Sequence, residues 1–303
     1  LPLPSPPWDP EVLARIAALE LRARGLVRGL QHGAHPSMRV TSNVEFADYK
    51  EYSPGDPLRD LDWRVLARSE RLVVRRHRAE DELAITLVVD ASADMSTAPP
   101  GGPRPPLDRG KWGAAAVLAA TLAQWAARRN EPVGLSVLGG ADVPWAWLPP
   151  AGGAAHLARV HAALASARPA GRAALGPGLE AVGARVRRRS LVVLISDLME
   201  EPSEWGPAVD ALGARGVDLR VLHVHDPREW RLEVGAAGRF RSPEGGDPLA
   251  ADPDELRPGM AAVIDAYLLE VRGWLARGRG LHLLVPCDAD LGGVLARALR
   301  MHS

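Results

Sequence analysis

The chain has 303 residues, 47% of them apolar, which is ample for a large core, and 37 basic against 37 acidic side chains, which argues against a general nucleic-acid or membrane-surface binder. A single cysteine, Cys287, excludes an internal disulfide and fits a reducing compartment. "LPLPSPPWDP" lacks a basic segment followed by an apolar run, so no signal peptide is expected, and the longest apolar run, 114–123, is about half the ~20 residues a membrane span needs, so a soluble, cytoplasmic protein is expected. Residues 9–30 read as an amphipathic helix. Asp9 is its N-cap, Pro10 stands at the first helical position, and Val12, Leu13, Ile16, Leu19, Leu26 and Leu30 fall near helical spacing. Residues 31–70 are turn-rich, and "RLVVRRHR" (71–78) has the charge of an edge strand.

From residue 83 the pattern changes. "LAITLVVD" (83–90) is a continuous apolar run, as in a parallel strand covered on both faces. A proline- and glycine-rich loop (99–110) and a helix (111–130) follow. Strands are expected at 132–139 and 143–149, the second antiparallel, and helices at 154–167 and 175–189. The series closes with strand 190–197, helix 204–215, strand 217–226, helix 258–277, strand 281–286 and helix 289–300. Residues 230–248 interrupt it as a hairpin, with Gly235 and Gly238 at the bend. Strands separated by helices predict an α/β fold, a doubly wound, mostly parallel, Rossmann-like sheet.

Ligands of such sheets sit at the carboxyl ends of the strands, where two strands here end in a carboxylate, Asp90 and Asp197. "DASAD" adds Ser92 and Asp94, and three crowded carboxylates call for a cation or a shared proton. Several motifs are excluded. No Gly-x-Gly-x-x-Gly follows the first strand, Gly110-Lys111 lacks the rest of a P-loop, and no nucleophile elbow is present. His223 and His225 alternate on a strand without a partner at zinc-ligand spacing. Only two lysines occur, Lys50 and Lys111, in an arginine-rich chain, which reads as genome composition.

"DASAD" resembles the metal-ion-dependent adhesion site of von Willebrand factor A domains, with one substitution. The upstream segment "EFADYKEYSPGDPLRDLDWRVLARSERLVV" makes the likeness specific. It resembles the signature of the bacterial family called domain of unknown function 58, through Glu51, Tyr52, Gly55, Asp56, Arg59, Asp62, Trp63, Ala67 and Arg68. "ISDLME" and "VHDPREW" resemble later blocks, through Asp197, Asp226, Pro227 and Glu229. Ser53-Pro54-Gly55-Asp56 suits a type II turn, and Asp56, Arg59, Asp62 and Arg68 can form a charge network that clamps the segment or docks a partner. The resemblance implies a von Willebrand factor A-like domain over 81–303, preceded by an amino-terminal helix and β-containing signature segment over 1–80. It also implies a non-enzymatic adaptor or co-chaperone that binds a MoxR-type AAA+ ATPase or its client, with no nucleic-acid partner and no direct membrane insertion.

The family pattern holds Mg²⁺ through aspartate, two serines and a threonine. Here the resemblance assigns Asp90, Ser92, Asp94 and Asp197 as metal ligands, with Asp94 in place of the second serine. The threonine position falls on Ala173, beside Arg172. Three outcomes stay open. Asp94 binds Mg²⁺ directly, the Arg172 guanidinium replaces the ion, or the site is empty with one carboxylate's pKa raised. Two other functions also stay open: an Mg²⁺-dependent hydrolase using Asp90, Asp94 and Asp197, and a scaffold with a degenerate site.

Overall fold

The computed structural model describes side chains for 84–96, 110–139, 146–233 and 237–297, and for 14, 17–24, 26 and 27; for 46–51, 73–77 and 298–300 it describes backbone alone. The chain forms two compact units, one of Leu1–Gly33 with Ala84–Ser303, the other of Ala34–Leu83. The amino-terminal helix therefore groups with the sheet rather than with the signature segment. In the smaller unit β1 (Phe46–Glu51) pairs antiparallel with β2 (Val73–His77), Glu51 standing opposite Val73.

The larger unit is built on a six-stranded sheet. Its strands are β3 (Ile85–Asp90), β4 (Val133–Leu138), β5 (Ala146–Ala151), β6 (Leu191–Ser196), β7 (Asp218–His225) and β10 (Leu281–Pro286), in the order β10-β7-β6-β3-β4-β5. All pairs are parallel except β4 with β5, so the edge strand expected at 143–149 is antiparallel and shifted to 146–151. This is the doubly wound, mostly parallel arrangement expected from the sequence. Every residue of β3, β4 and β6 is buried. Helices on both faces explain why these strands read as unbroken apolar runs instead of alternating ones.

One face carries α1 (Gly110–Arg128), α2 (Ala154–Ser166) and α7 (Leu291–Arg300). The other carries α3 (Leu175–Gly183), α4 (Pro202–Ala214) and α6 (Pro253–Arg277). A short α5 (Pro227–Trp230) and a hairpin of β8 (Gly238–Phe240) and β9 (Leu249–Ala251) lie between β7 and α6. α1 is buried almost all round, so alanine fills its surface where larger side chains would not fit. In the amino-terminal helix Leu19, Ala23 and Val27 are fully buried, four residues apart on one face, and Glu20 reaches His161 of α2 at 3.4 Å.

Three boundaries differ from expectation for local reasons. α3 ends at Gly183 rather than 189, and Arg189 takes a left-handed φ of 60° before β6. α6 begins at Pro253, five residues early, because Asp252 caps it by accepting from the Asp254 N–H and Pro253 occupies the first helical position; Pro258 is carried inside the helix. The hairpin bend lies at Gly245 and Gly246, both at positive φ, whereas Gly238 is inside β8 and Gly235 is outside the described residues. Gly176 permits α3 and α4 to touch: a Cβ there would stand 2.5 Å from the Glu204 carbonyl oxygen.

Candidate functional site

β3 and β6 are neighbours whose connections leave in opposite directions, β3 to β4 and β6 to β7. This opens a crevice at their carboxyl ends, the switch point of the sheet. Asp90 ends β3 and Asp197 follows Ser196 at the end of β6, with exposures of 1% and 2%. Two carboxylates so deeply buried need compensation.

Asp90 finds it in hydrogen bonds. The Ser92 N–H donates to Oδ1 at 2.8 Å and the Ser196 hydroxyl donates to Oδ2 at 2.6 Å. Burial, then the adjacent Asp197 carboxylate, still push its pKa up to about 7 against those hydrogen bonds. Asp197 finds a cation. Lys111 Nζ stands 2.9 Å from its Oδ2 and 2.8 Å from Glu229 Oε2, and the lysine is itself 3% exposed. Burial alone would lower the lysine's pKa, but these two carboxylates outweigh it and hold it above the usual range.

The topology explains the convergence. In a parallel β-α unit the helix starts at the edge where the strand ends, so the first turn of α1 faces the crevice and carries Lys111 there. β7 ends at the same edge. Asp226 then caps α5, accepting from the Arg228 N–H at 2.9 Å, with Pro227 next, and this one-turn helix delivers Glu229 to Lys111. The block "VHDPREW" thus supplies a cap, a helix start and a counter-ion.

Arg172 lies elsewhere. Its side chain is 80% exposed, and among the described residues it is paired with Glu244 at 4.0 Å. The ammonium beside the buried aspartates belongs to Lys111. The segment around Arg172 does adjoin the "DASAD" loop, through Ala170 N–H to Ala91 carbonyl and Ala93 N–H to Gly171 carbonyl, both 2.9 Å. At the family's threonine position the Ala173 N–H donates to Glu244 Oε1 at 2.7 Å. Asp94, in a short 3₁₀ turn (Ala93–Met95), is half-buried; burial, then Glu244 and Asp197, push its pKa up to about 6.

An Mg²⁺ ion bound here would compete with the Lys111 ammonium for the Asp197 carboxylate. Among the described residues no three His, Cys, Asp or Glu side chains come together in a metal-holding group. Ser92 Oγ and Asp197 Oδ1 remain buried oxygens without a hydrogen bond among the described residues.

A second cluster lies across the neighbouring strands β7 and β10. His223 Nδ1 and His282 Nε2 share a hydrogen bond at 3.1 Å, and His225 stacks on Trp230 with ring centroids 3.8 Å apart. Burial, then the neighbouring histidine, drives the His223 pKa down to about 3, and burial brings His282 to about 4. The Tyr267 hydroxyl donates to the Leu198 carbonyl and ties α6 to the loop after Asp197.

Lys111, Glu229, Glu244 and Ser196 complete the site beyond the motif. Lys111 carried a signal: it is one of two lysines in an arginine-rich chain, placed in a first helical turn where the dipole disfavours a cation. Of the signature residues, Glu51 ends β1; Tyr52, Gly55, Asp56, Arg59, Asp62, Trp63 and Arg68 lie outside the described residues.

The chain is similar to several known proteins. An uncharacterized protein of Mycobacterium tuberculosis (strain ATCC 25618 / H37Rv) is 30% identical over 233 residues, 75% of this chain and 69% of that protein. An uncharacterized Mycobacterium bovis protein matches equally. Among solved structures, the conserved hypothetical protein BatB from Bacteroides thetaiotaomicron is 17% identical with a TM-score of 0.47, over 72% of this chain and 98% of that one. The SpRpn10 VWA domain is 11% identical with a TM-score of 0.41, over 73% and 94%. The profile of the family described as protein of unknown function DUF58 matches residues 48–263, and the chain belongs to that family.

Proposed function

We propose that this chain is a non-enzymatic adaptor, a von Willebrand factor A-like module that binds a MoxR-type AAA+ ATPase or the protein client of one. One observation carries the reading: both strand-end aspartates have partners inside the protein. Asp90 accepts hydrogen bonds from Ser92 and Ser196, and Asp197 is paired with Lys111. A hydrolase needs such carboxylates free to hold an ion or move a proton at a substrate. A binding module needs only a rigid, buried foundation under its surface loops, and this network supplies one. The choice of partner rests on the family resemblance.

The test is complex formation between the purified chain and a MoxR-type ATPase of the same organism, by size-exclusion chromatography without nucleotide, with ADP and with a non-hydrolysable ATP analogue. A stable complex in at least one state is expected. No complex in any state refutes the reading.

A further inference from the structure

We infer that the Lys111 ammonium is the permanent cation of the switch-point crevice, standing where an adhesion site of this fold would hold a divalent ion, so that the site works without metal. The inference deepens the adaptor reading and rests on it only for the identity of the partner. Its basis is geometric. Lys111 Nζ bridges a buried carboxylate and a half-exposed one, Asp197 at 2.9 Å and Glu229 at 2.8 Å. The side chain enters from the first turn of α1 and Glu229 from α5, so two separate connections at the sheet's carboxyl edge are shaped to hold one charge. The ammonium is fixed by covalent attachment, needs no loading, and offers no open coordination position to a partner's carboxylate. The departures from the adhesion motif fit the same logic. Asp94 and Ala173 stand where hydroxyl ligands are expected, and the Ala173 N–H is engaged by Glu244 instead. A site that keeps no ion has no need of those hydroxyls.

The experiment is titration calorimetry of the full chain with MgCl₂ and MnCl₂, together with thermal melting in each salt. Wild type is expected to show no saturable heat and no rise in melting temperature. Lys111→Ser leaves Asp197 and Glu229 with no cation between them, and is expected to gain Mn²⁺ binding that Asp90→Ala in the same background abolishes. Saturable Mg²⁺ binding by wild type that Asp90→Ala removes would overturn the inference. A folded Lys111→Ser variant that gains no ion would also overturn it.

Should Lys111→Ser fail to fold, the Nζ resonances of the ¹⁵N-labelled wild type decide. With two lysines in the chain the spectrum is simple, and Lys50→Arg assigns it. A slowly exchanging Lys111 signal unmoved by Mg²⁺ is expected. A rapidly exchanging signal, or one displaced by Mg²⁺, refutes the assignment. None of these measurements uses the ATPase, so failure of the adaptor reading and failure of the lysine assignment are separately visible.

Discussion

Lys111→Met is the most informative single change. It keeps an unbranched chain of similar length in the same slot and deletes the charge. Glu229 is 42% exposed on its side chain, so its half of the bridge has the worth of a surface pair, about 0–1 kcal/mol. Asp197 differs: the partners are 4% and 2% exposed, and breaking such a pair leaves a buried carboxylate uncompensated, at a cost of about 3–5 kcal/mol. Relief of an unfavourable lysine at a helix start returns up to about 1 kcal/mol of that. The net loss is roughly 2–4 kcal/mol, or a melting temperature lower by about 4–16 °C for a domain of this size. Urea denaturation of Lys111→Met, Asp197→Asn and the double variant closes a cycle. A coupling of at least ~1 kcal/mol is expected, with the double variant more stable than Lys111→Met. If Lys111→Met unfolds within ~0.5 kcal/mol of wild type, the ammonium does not compensate Asp197 and the reasoning fails.

Other outcomes follow from the same geometry. Arg172→Ala is expected to change stability by no more than about 0.5 kcal/mol, since the side chain is largely in solvent; a loss above ~1.5 kcal/mol in urea melts would mean that the guanidinium serves the buried carboxylates after all. Gly176→Ala forces a Cβ against the Glu204 carbonyl and is expected to cost about 1–3 kcal/mol, checked by thermal melting; an unchanged melting temperature would refute the close approach of α3 and α4. The histidine pair sets an acid limit. Burial pushes His223 and His282 down to about 3 and about 4, below the ordinary imidazole value of 6.5, so their contribution is present above pH 6.5 and is lost as pH falls through the window toward those values. His223→Gln is expected to flatten the stability profile between pH 6.5 and 4, and an unaltered slope contradicts the assignment. Asp90, raised, acts in the opposite sense: its contribution is lost as pH rises toward 7, equally in both proteins, and so cancels from the comparison.

No helix among the described residues is long and apolar enough to cross a membrane. Within the larger unit, the sheet was legible in the sequence because burial on both faces writes itself as unbroken apolar runs, "ITLVVD" and "LVVLIS", while Pro and Gly mark the gaps between them. Element ends were less legible. The helix expected from 258 had already begun at Asp252 and Pro253, since a cap outweighs the one N–H that Pro258 lacks in the second turn. The two strand-end aspartates could also be placed at one edge from sequence, because parallel strands share a carboxyl end. The partner of Asp197 could not. Arg172 is near the motif in the expected alignment yet points to solvent, whereas Lys111 lies 86 residues from Asp197 and meets it, with Glu229 on its other side, only because α1 and α5 both begin at the sheet's carboxyl edge. Periodicity and strand chemistry are local and so belong to the sequence. Which cation compensates a buried charge depends on the folding together of distant segments, and the tertiary structure alone decides it.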